Sequence, residues 1–225
     1  MTEPWLLLTS PVGTPPYNMA LDETLLRFAA TRARPLLRLY RWNRPCATFG
    51  YFQKFPDNLA AQFPEPQTII RRPTGGGIVY HGDGVDTTYT VVVPPGHALH
   101  TFATQDAYDH IHRAVAAAMT QRSQLSNQKV ALRGGYECFQ NPVAGDVVAD
   151  DGAKLAGGAQ RRGKNGMLHQ GSIAASIPSD RLVRGFCDML GAEFAEYALT
   201  PDEAALAGQL AVEKYATEAW NHRVA

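Results

Sequence analysis

Cys138 stands in the stretch ECFQNP, beside Phe139 and between two glycine-rich pieces of chain. A cysteine in a loop has two readings. It can be a small buried hydrophobe, since free cysteine is among the most buried residue types, or it can be a nucleophile once its proton is gone. An unperturbed thiol titrates near ~8.5, so little of it is thiolate at neutral pH, and a nearby ammonium favours the charged form. Lys154 in KLAGGAQ can supply that ammonium, because a strand that follows the turn residues Asp150, Asp151 and Gly152 can bring its side chain back to the loop holding Cys138. The same amine can pass a proton when an acceptor amine attacks. Taken singly, Lys154 reads as a solvated surface lysine and Cys138 as core; taken together they read as a nucleophile and the group that tunes it. Cys46 in PCATFG and Cys187 in GFCDML lack close basic neighbours and read as packing, and the three cysteines share no short metal-ligand spacing.

The densest signal is RRPTGGGIVYHGDG, Arg71 to Gly84. Three consecutive glycines, Gly75, Gly76 and Gly77, cost conformational entropy and need a reason. One reason is a tight turn or bulge between two strands. The other is that absent side chains let a ligand lie against the backbone, with Arg71 and Arg72 before the gap and His81 after it as donors. Neither GxxxxGK[ST] nor a strand-to-helix GxGxxG is present, so nothing here supports a phosphate cradle.

These groups need a scaffold. Apolar residues at helical spacing (Met19, Leu21, Leu25, Leu26, Phe28) predict a helix over Asn18–Thr31, and others are predicted over Asp106–Met119 and Ser179–Leu190. Thr200-Pro201-Asp202-Glu203 is a capping-box start for a last helix running to about Trp220. Strands are predicted over Leu36–Trp42, Thr68–Ile70, Ile78–Tyr80, Thr87–Val93, GDVV, KLAGGAQ and Gly166–Ala174. Strands grouped between helices predict an α/β or α+β fold, a mixed sheet flanked by helices. With 225 residues, 45% hydrophobic content and no long linker, the chain reads as one domain over residues 1–225. Acidic and basic residues balance at 21 each, so global charge points to neither nucleic acid nor a membrane surface. The start MTEPWLLLTSPVG is no secretory signal, and no apolar run reaches the roughly 18 residues of a membrane helix, which together predict a cytoplasmic protein with reduced thiols.

NMALDE (Asn18 to Glu23), RRPTGGGIVYH (Arg71 to His81), KLAGGAQRR (Lys154 to Arg162) and HQGSI (His169 to Ile173) resemble, in order and spacing, the lipoate and biotin protein ligase superfamily. EKYATEAWN (Glu213 to Asn221) resembles its closing helix, so the likeness covers nearly the whole chain. The resemblance implies a catalytic domain whose mixed sheet holds an acyl group in a tunnel near the glycine strand. One branch of that superfamily activates lipoate with ATP. Another carries an already activated octanoyl or lipoyl group on an enzyme cysteine, in a Cys-Phe pair about sixteen residues before the motif lysine. Cys138-Phe139 stands sixteen residues before Lys154, YTVVV after the glycines is similar to the transferases, and Gly84-Val85-Asp86 lacks the Gly-Asn pair usual in ligases.

The resemblance therefore implies an octanoyltransferase of lipoate biosynthesis with Cys138 and Lys154 as catalytic residues, needing no cofactor and no metal. Its expected donor is an acyl carrier protein. Its expected acceptors are lipoyl domains of 2-oxoacid dehydrogenases or a glycine cleavage H-type protein. An ATP-dependent ligase needing ATP and magnesium, a lipoyl amidotransferase and a non-catalytic acyl-carrier-binding module remain as alternatives. Arg72, Gly75, Gly76, Gly77, His81, Gly157, Ala159 and His169 are the expected substrate-binding residues. His81 would contact the acyl carbonyl or the incoming partner, or else make a structural hydrogen bond. Gly157, Gly158 and Ala159 would let the strand of Lys154 press against the glycine strand and frame an acyl slot, or else serve core packing. His169 would orient loops around the thioester, or else be a satisfied structural histidine. The basic run Arg161, Arg162 and Lys164 reads as a solvated turn or as a dock for an acidic carrier.

Overall fold

The computed structural model describes residues 2–82, 84, 86–128 and 142–223. Cys138 and Phe139 lie outside the described residues. The chain runs β1 (Glu3–Thr9), α1 (Pro15–Arg27), α2 (Ala29–Arg32), β2 (Leu36–Tyr40), β3 (Cys46–Phe49), β4 (Ile69–Arg71), β5 (Val79–His81) and β6 (Thr87–Val93). It continues through α3 (Ala98–Thr101), α4 (Thr104–Ala117), β7 (Ser123–Leu125), β8 (Val147–Ala149), β9 (Lys154–Gly163), β10 (Gly166–Ile173), α5 (Ser179–Leu190), β11 (Ala192–Glu196), α6 (Pro201–Leu210) and α7 (Glu218–Asn221). An eight-stranded sheet has the order β11-β1-β2-β6-β10-β9-β8-β7, and a small sheet has the order β4-β3-β5. β1 is parallel to both β11 and β2, whereas β2-β6, β6-β10, β10-β9, β9-β8 and β8-β7 are antiparallel. The large sheet is therefore mixed, as the grouping of strands and helices predicts.

Strand alternation sorts the large sheet into two chemistries. Leu37 and Leu39 of β2, Tyr89, Val91 and Val93 of β6, and Met167 and Ile173 of β10 face α4 and α5, together with Ala107, Ile111, Leu182 and Phe186. On the other face, Leu36, Val92 and Leu168 meet Leu21 and Leu25 of α1 and Ala207 of α6 at one end only. Further along that face stand Arg38, Tyr40, Thr88, Thr90, Gln170 and Ser172, all buried. A polar row under helix α1 must be satisfied internally. Asp22 does this: it accepts from Arg38 Nη1 at 2.6 Å, Tyr40 Oη at 3.1 Å, Thr90 Oγ1 at 2.9 Å and Gln170 Nε2 at 2.7 Å.

Several elements lie where the sequence predicts them. α5 covers the predicted residues, and the capping box forms, with Thr200 and Glu203 bonded reciprocally. Helix α1 starts three residues earlier than predicted, because Thr14 caps it and Pro15 and Pro16 suit a first turn. The last helix is broken rather than continuous to Trp220: α6 ends at Leu210, a π turn spans Ala211–Tyr215, and α7 follows. Glu23 holds that turn, bonding Lys214 Nζ at 2.6 Å and Tyr215 Oη at 2.5 Å. Among the described residues no helix is long and apolar enough to cross a membrane.

Candidate active site

The polar row ends in a cleft lined by Met19, Tyr40, Trp42, Thr48, Arg72, Val79, His81, Thr88, Lys154, Gly157, Ala159 and Gln170, among others. Met19, Tyr40, Trp42 and Val79 give this cleft an apolar stretch of wall. Of the expected residues, the structure brings Arg72, His81, Gly157, Ala159 and Lys154 together around this space.

One wall is the small sheet. His81 closes β5 and bonds Asp86 Oδ2 through Nδ1 at 2.6 Å and Thr48 Oγ1 through Nε2 at 2.9 Å. Trp42 stacks on the imidazole at 4.3 Å between centroids and donates from Nε1 to Thr88 Oγ1. Asp86 also accepts from Thr88 Oγ1, Ser172 Oγ and the Gly82 amide. Burial pushes the Asp86 carboxyl up, but His81 and these donors outweigh it and hold the group below the usual carboxylate range. Both nitrogens of His81 are thus engaged by protein groups.

The arginines of the glycine motif point inward. Arg71 donates to the carbonyls of Tyr51, Gln53, Trp220, Asn221 and Arg223, which engages every nitrogen of its guanidinium and ties the C-terminal turn to β4. Arg72 donates to the Gly75 and Gly77 carbonyls and to Thr48 Oγ1. Arg71 is thus a backbone clamp rather than a donor across the glycine gap, whereas Arg72 braces the glycine segment and lines the cleft. Gly75, Gly76 and Gly77 are not part of that wall. Gly76 lies against Gly50, where a Cβ would stand 2.0 Å from the Gly76 carbonyl oxygen.

The opposite wall is β9 beside β10. Lys154 Nζ lies 2.7 Å from Asp146 Oδ2, with side-chain exposures of 2% and 0%. Asp146 Oδ1 accepts from Tyr108 Oη at 2.7 Å, and Tyr108 Oη accepts from the Gly158 amide at 2.8 Å. The small residues of KLAGGAQ serve this arrangement. A Cβ on Gly157 would stand 2.5 Å from Lys154 Cε and 2.6 Å from Nζ, and one on Gly158 would stand 2.5 Å from His169 Nε2. β9 pairs with β10 and β8 and not with the glycine segment, so these glycines make room for the lysine and for His169 rather than for a glycine strand.

His169 is the second correction. It sits on the face of β10 away from the cleft, fully buried among Tyr89, Tyr108 and His112. Burial pushes its pKa well below the ordinary histidine value, so it packs as a neutral ring. Sequence reasoning missed Asp146, Tyr108, Thr48 and Trp42. Asp146 had a weak signal, an acid between Gly145 and the strand residues Val147 and Val148, eight positions after Cys138. Cys46 is buried in β3 and its thiol is pushed up, chiefly by burial, in keeping with a packing role.

The chain is similar to known proteins along most of its length. The chain is 29% identical to octanoyltransferase LipM of Halalkalibacterium halodurans over 282 aligned positions, spanning 98% of this chain and 99% of that one. It is 32% identical to octanoyltransferase LipM of Moorella thermoacetica over 189 positions, 80% of this chain and 68% of that one. In fold it is similar to lipoate-protein ligase A bound with ATP, at a TM-score of 0.78 and 23% identity over the whole of both chains. Protein Ta0514 of T. acidophilum, solved with lipoic acid, gives 0.77 and 23% over 99% of this chain and 100% of that one. Residues 14–190 match the lipoyl protein ligase A/B catalytic domain, and the chain belongs to that family.

Proposed function

We propose that this chain is an octanoyltransferase of lipoate assembly that works through a thioester on Cys138. The observation that carries the reading is Lys154, buried with a carboxylate at the wall of a partly apolar cleft, in a chain akin to octanoyltransferases along nearly its whole length. In the first half-reaction the Cys138 thiolate attacks the octanoyl carbonyl of an acyl carrier protein, a C–S bond forms, and the carrier thiolate leaves and takes up a proton. In the second, a lysine amine of a lipoyl domain attacks the Cys138 thioester, loses a proton, and leaves as the amide while Cys138 is returned as thiol. Each half exchanges one activated acyl bond for another, so no nucleotide or metal is needed. Lys154 stabilises the thiolate by its charge.

A lipoyl domain as acceptor is the natural partner of this family; a structural relative, the bipartite lipoate protein ligase of Thermoplasma acidophilum, is described together with its E2 lipoyl domain. The ATP-dependent alternative finds less support, because the curated relatives that span nearly the whole chain are octanoyltransferases. The test is the intact mass after incubation with octanoyl carrier protein and no ATP. One octanoyl group should be added, labile to hydroxylamine and absent from Cys138→Ala. An equal adduct on Cys138→Ala, or transfer only from free octanoate with ATP, would overturn the reading.

A further inference from the structure

Lys154 is held by more machinery than a fold-stabilising ion pair requires. A lysine on a flexible stem has about 2 kcal/mol of rotamer entropy, and a buried ammonium is retained only if paired. Asp146 meets both needs. Its Oδ2 takes Lys154 Nζ at 2.7 Å and the Val143 amide at 2.8 Å, and its Oδ1 takes Tyr108 Oη at 2.7 Å. The carboxylate therefore stays anchored from α4 and from its own turn however the lysine moves. That turn is closed onto β7, with Ser126 and Asp146 joined by Ser126 N→Asp146 O at 2.7 Å and Gly145 N→Ser126 O at 2.8 Å. Gly157 leaves the space in which the pair lies. The anion, its two further donors and the vacant Cβ position all converge on one cleft-lining amine.

We propose that Asp146 is a positioning residue for acyl transfer, fixing Lys154 as an ammonium at the reacting end of the cleft and acting only through it. This rests on the reading of Lys154 as the group that tunes the acyl-carrying thiol. It predicts coupling: removing Asp146 should disable what Lys154 does and nothing else.

The experiment compares Asp146→Asn, Tyr108→Phe, Lys154→Ala and the double variant Asp146→Asn/Lys154→Ala, each first checked for an unchanged melting transition. Asp146→Asn should lower kcat for octanoyl transfer about tenfold or more, with KM for the lipoyl domain within about twofold, and should move the pH profile of Cys138 alkylation to higher pH as Lys154→Ala does. Tyr108→Phe should do the same more weakly, and it stands in if Asp146→Asn does not fold. The double variant should be no slower than Lys154→Ala, because groups that act as a unit are non-additive. Multiplicative losses in the double variant, or a folded Asp146→Asn with unchanged kcat and alkylation, would overturn the proposal. An independent readout is the NMR order parameter of isotopically labelled Lys154 Cε, which should fall in Asp146→Asn as the side chain loses its anchor; an unchanged order parameter sinks the proposal even if Cys138 is acylated. A lower order parameter in Asp146→Asn, together with a wild-type protein that forms no thioester on Cys138, would instead overturn the nucleophile assignment and leave the Asp146–Lys154 coupling standing.

Discussion

The two walls of the cleft are built on the same device and use it differently. On one, His81 is held by Asp86 at 2.6 Å; on the other, Lys154 is held by Asp146 at 2.7 Å, and all four side chains are buried. His81 has two ring nitrogens, both bonded within the protein, and Trp42 covers its face. It joins the small sheet to the large one through Thr48, Asp86 and Ser172. Lys154 lies at the end of a flexible stem that lines the cleft, and space beside it is kept by Gly157. A carboxylate beside a base is thus no mark of catalysis by itself. What differs is whether the base is locked into the framework or delivered to the cleft.

The sharpest break of this contrast is Lys154→Ala. It should lower transfer about 100-fold or more, in the range of a lost charge-stabilising or proton-transferring group, and raise the alkylation midpoint of Cys138 by roughly one unit. Lys154→Arg keeps the charge, so it should preserve much of the alkylation profile while still impairing transfer. An unchanged profile and unchanged turnover in Lys154→Ala would return the lysine to a structural role.

Acid should strike the Lys154 wall in a defined window. His112 Nδ1 bonds the Gly145 carbonyl at 2.7 Å, and burial, only partly offset by Asp146, brings the ring pKa down to about 4. The unfolded chain, with an ordinary histidine, binds this proton near 6.5, so between about 6.5 and 4 it holds more protons than the fold does. Stability should therefore fall as pH drops through that window, by roughly 3 kcal/mol from this group, and the loss should level off below it. Denaturant melts at stepped pH should show His112→Phe with a shallower slope; an identical slope would mean His112 does not carry the effect. His169, depressed in the same direction, leaves a residual slope.

Asp86→Asn tests the other wall. It leaves a hydrogen-bonding amide but removes the anion that holds His81, Thr88 and Ser172, and should cost about 1–3 kcal/mol of stability. KM for the acyl donor should rise more than kcat falls. A fall in kcat matching that of Lys154→Ala, with stability unchanged, would make His81 a partner in the chemistry and erase the contrast. The smallest effects come from paired glycine changes. Gly157→Ala puts a methyl within 2.6 Å of Lys154 Nζ and should slow transfer about tenfold or less, since the lysine tip can shift, while Gly75→Ala meets nothing within 4 Å and should be silent. Equal effects would deny that space beside Lys154 matters.

Residues close in sequence announced their own structure. The span of α5, the capping box at Thr200, the span of β6 and the turn at Gly152 all depend on neighbours a few positions away, and local propensity decides them. Lys154 was legible for the same reason, as a polar residue opening a strand beside small ones. His169 was not: all eight residues of β10 are buried, so no polar-apolar alternation tells which face meets the cleft. Arg71 read as a ligand donor because the carbonyls that bind it come from as far away as Arg223, about 150 positions on. Asp146 reads as one acid in a turn until β9 folds back and sets Lys154 against it. The sequence alone determined the local elements, the glycine segment and the identity of the candidate pair, because these follow from backbone preference and residue chemistry. Which charged group meets which, and which histidine sees the cleft, only the tertiary structure decided, because burial makes pairing obligatory while distance along the chain leaves the choice of partner open.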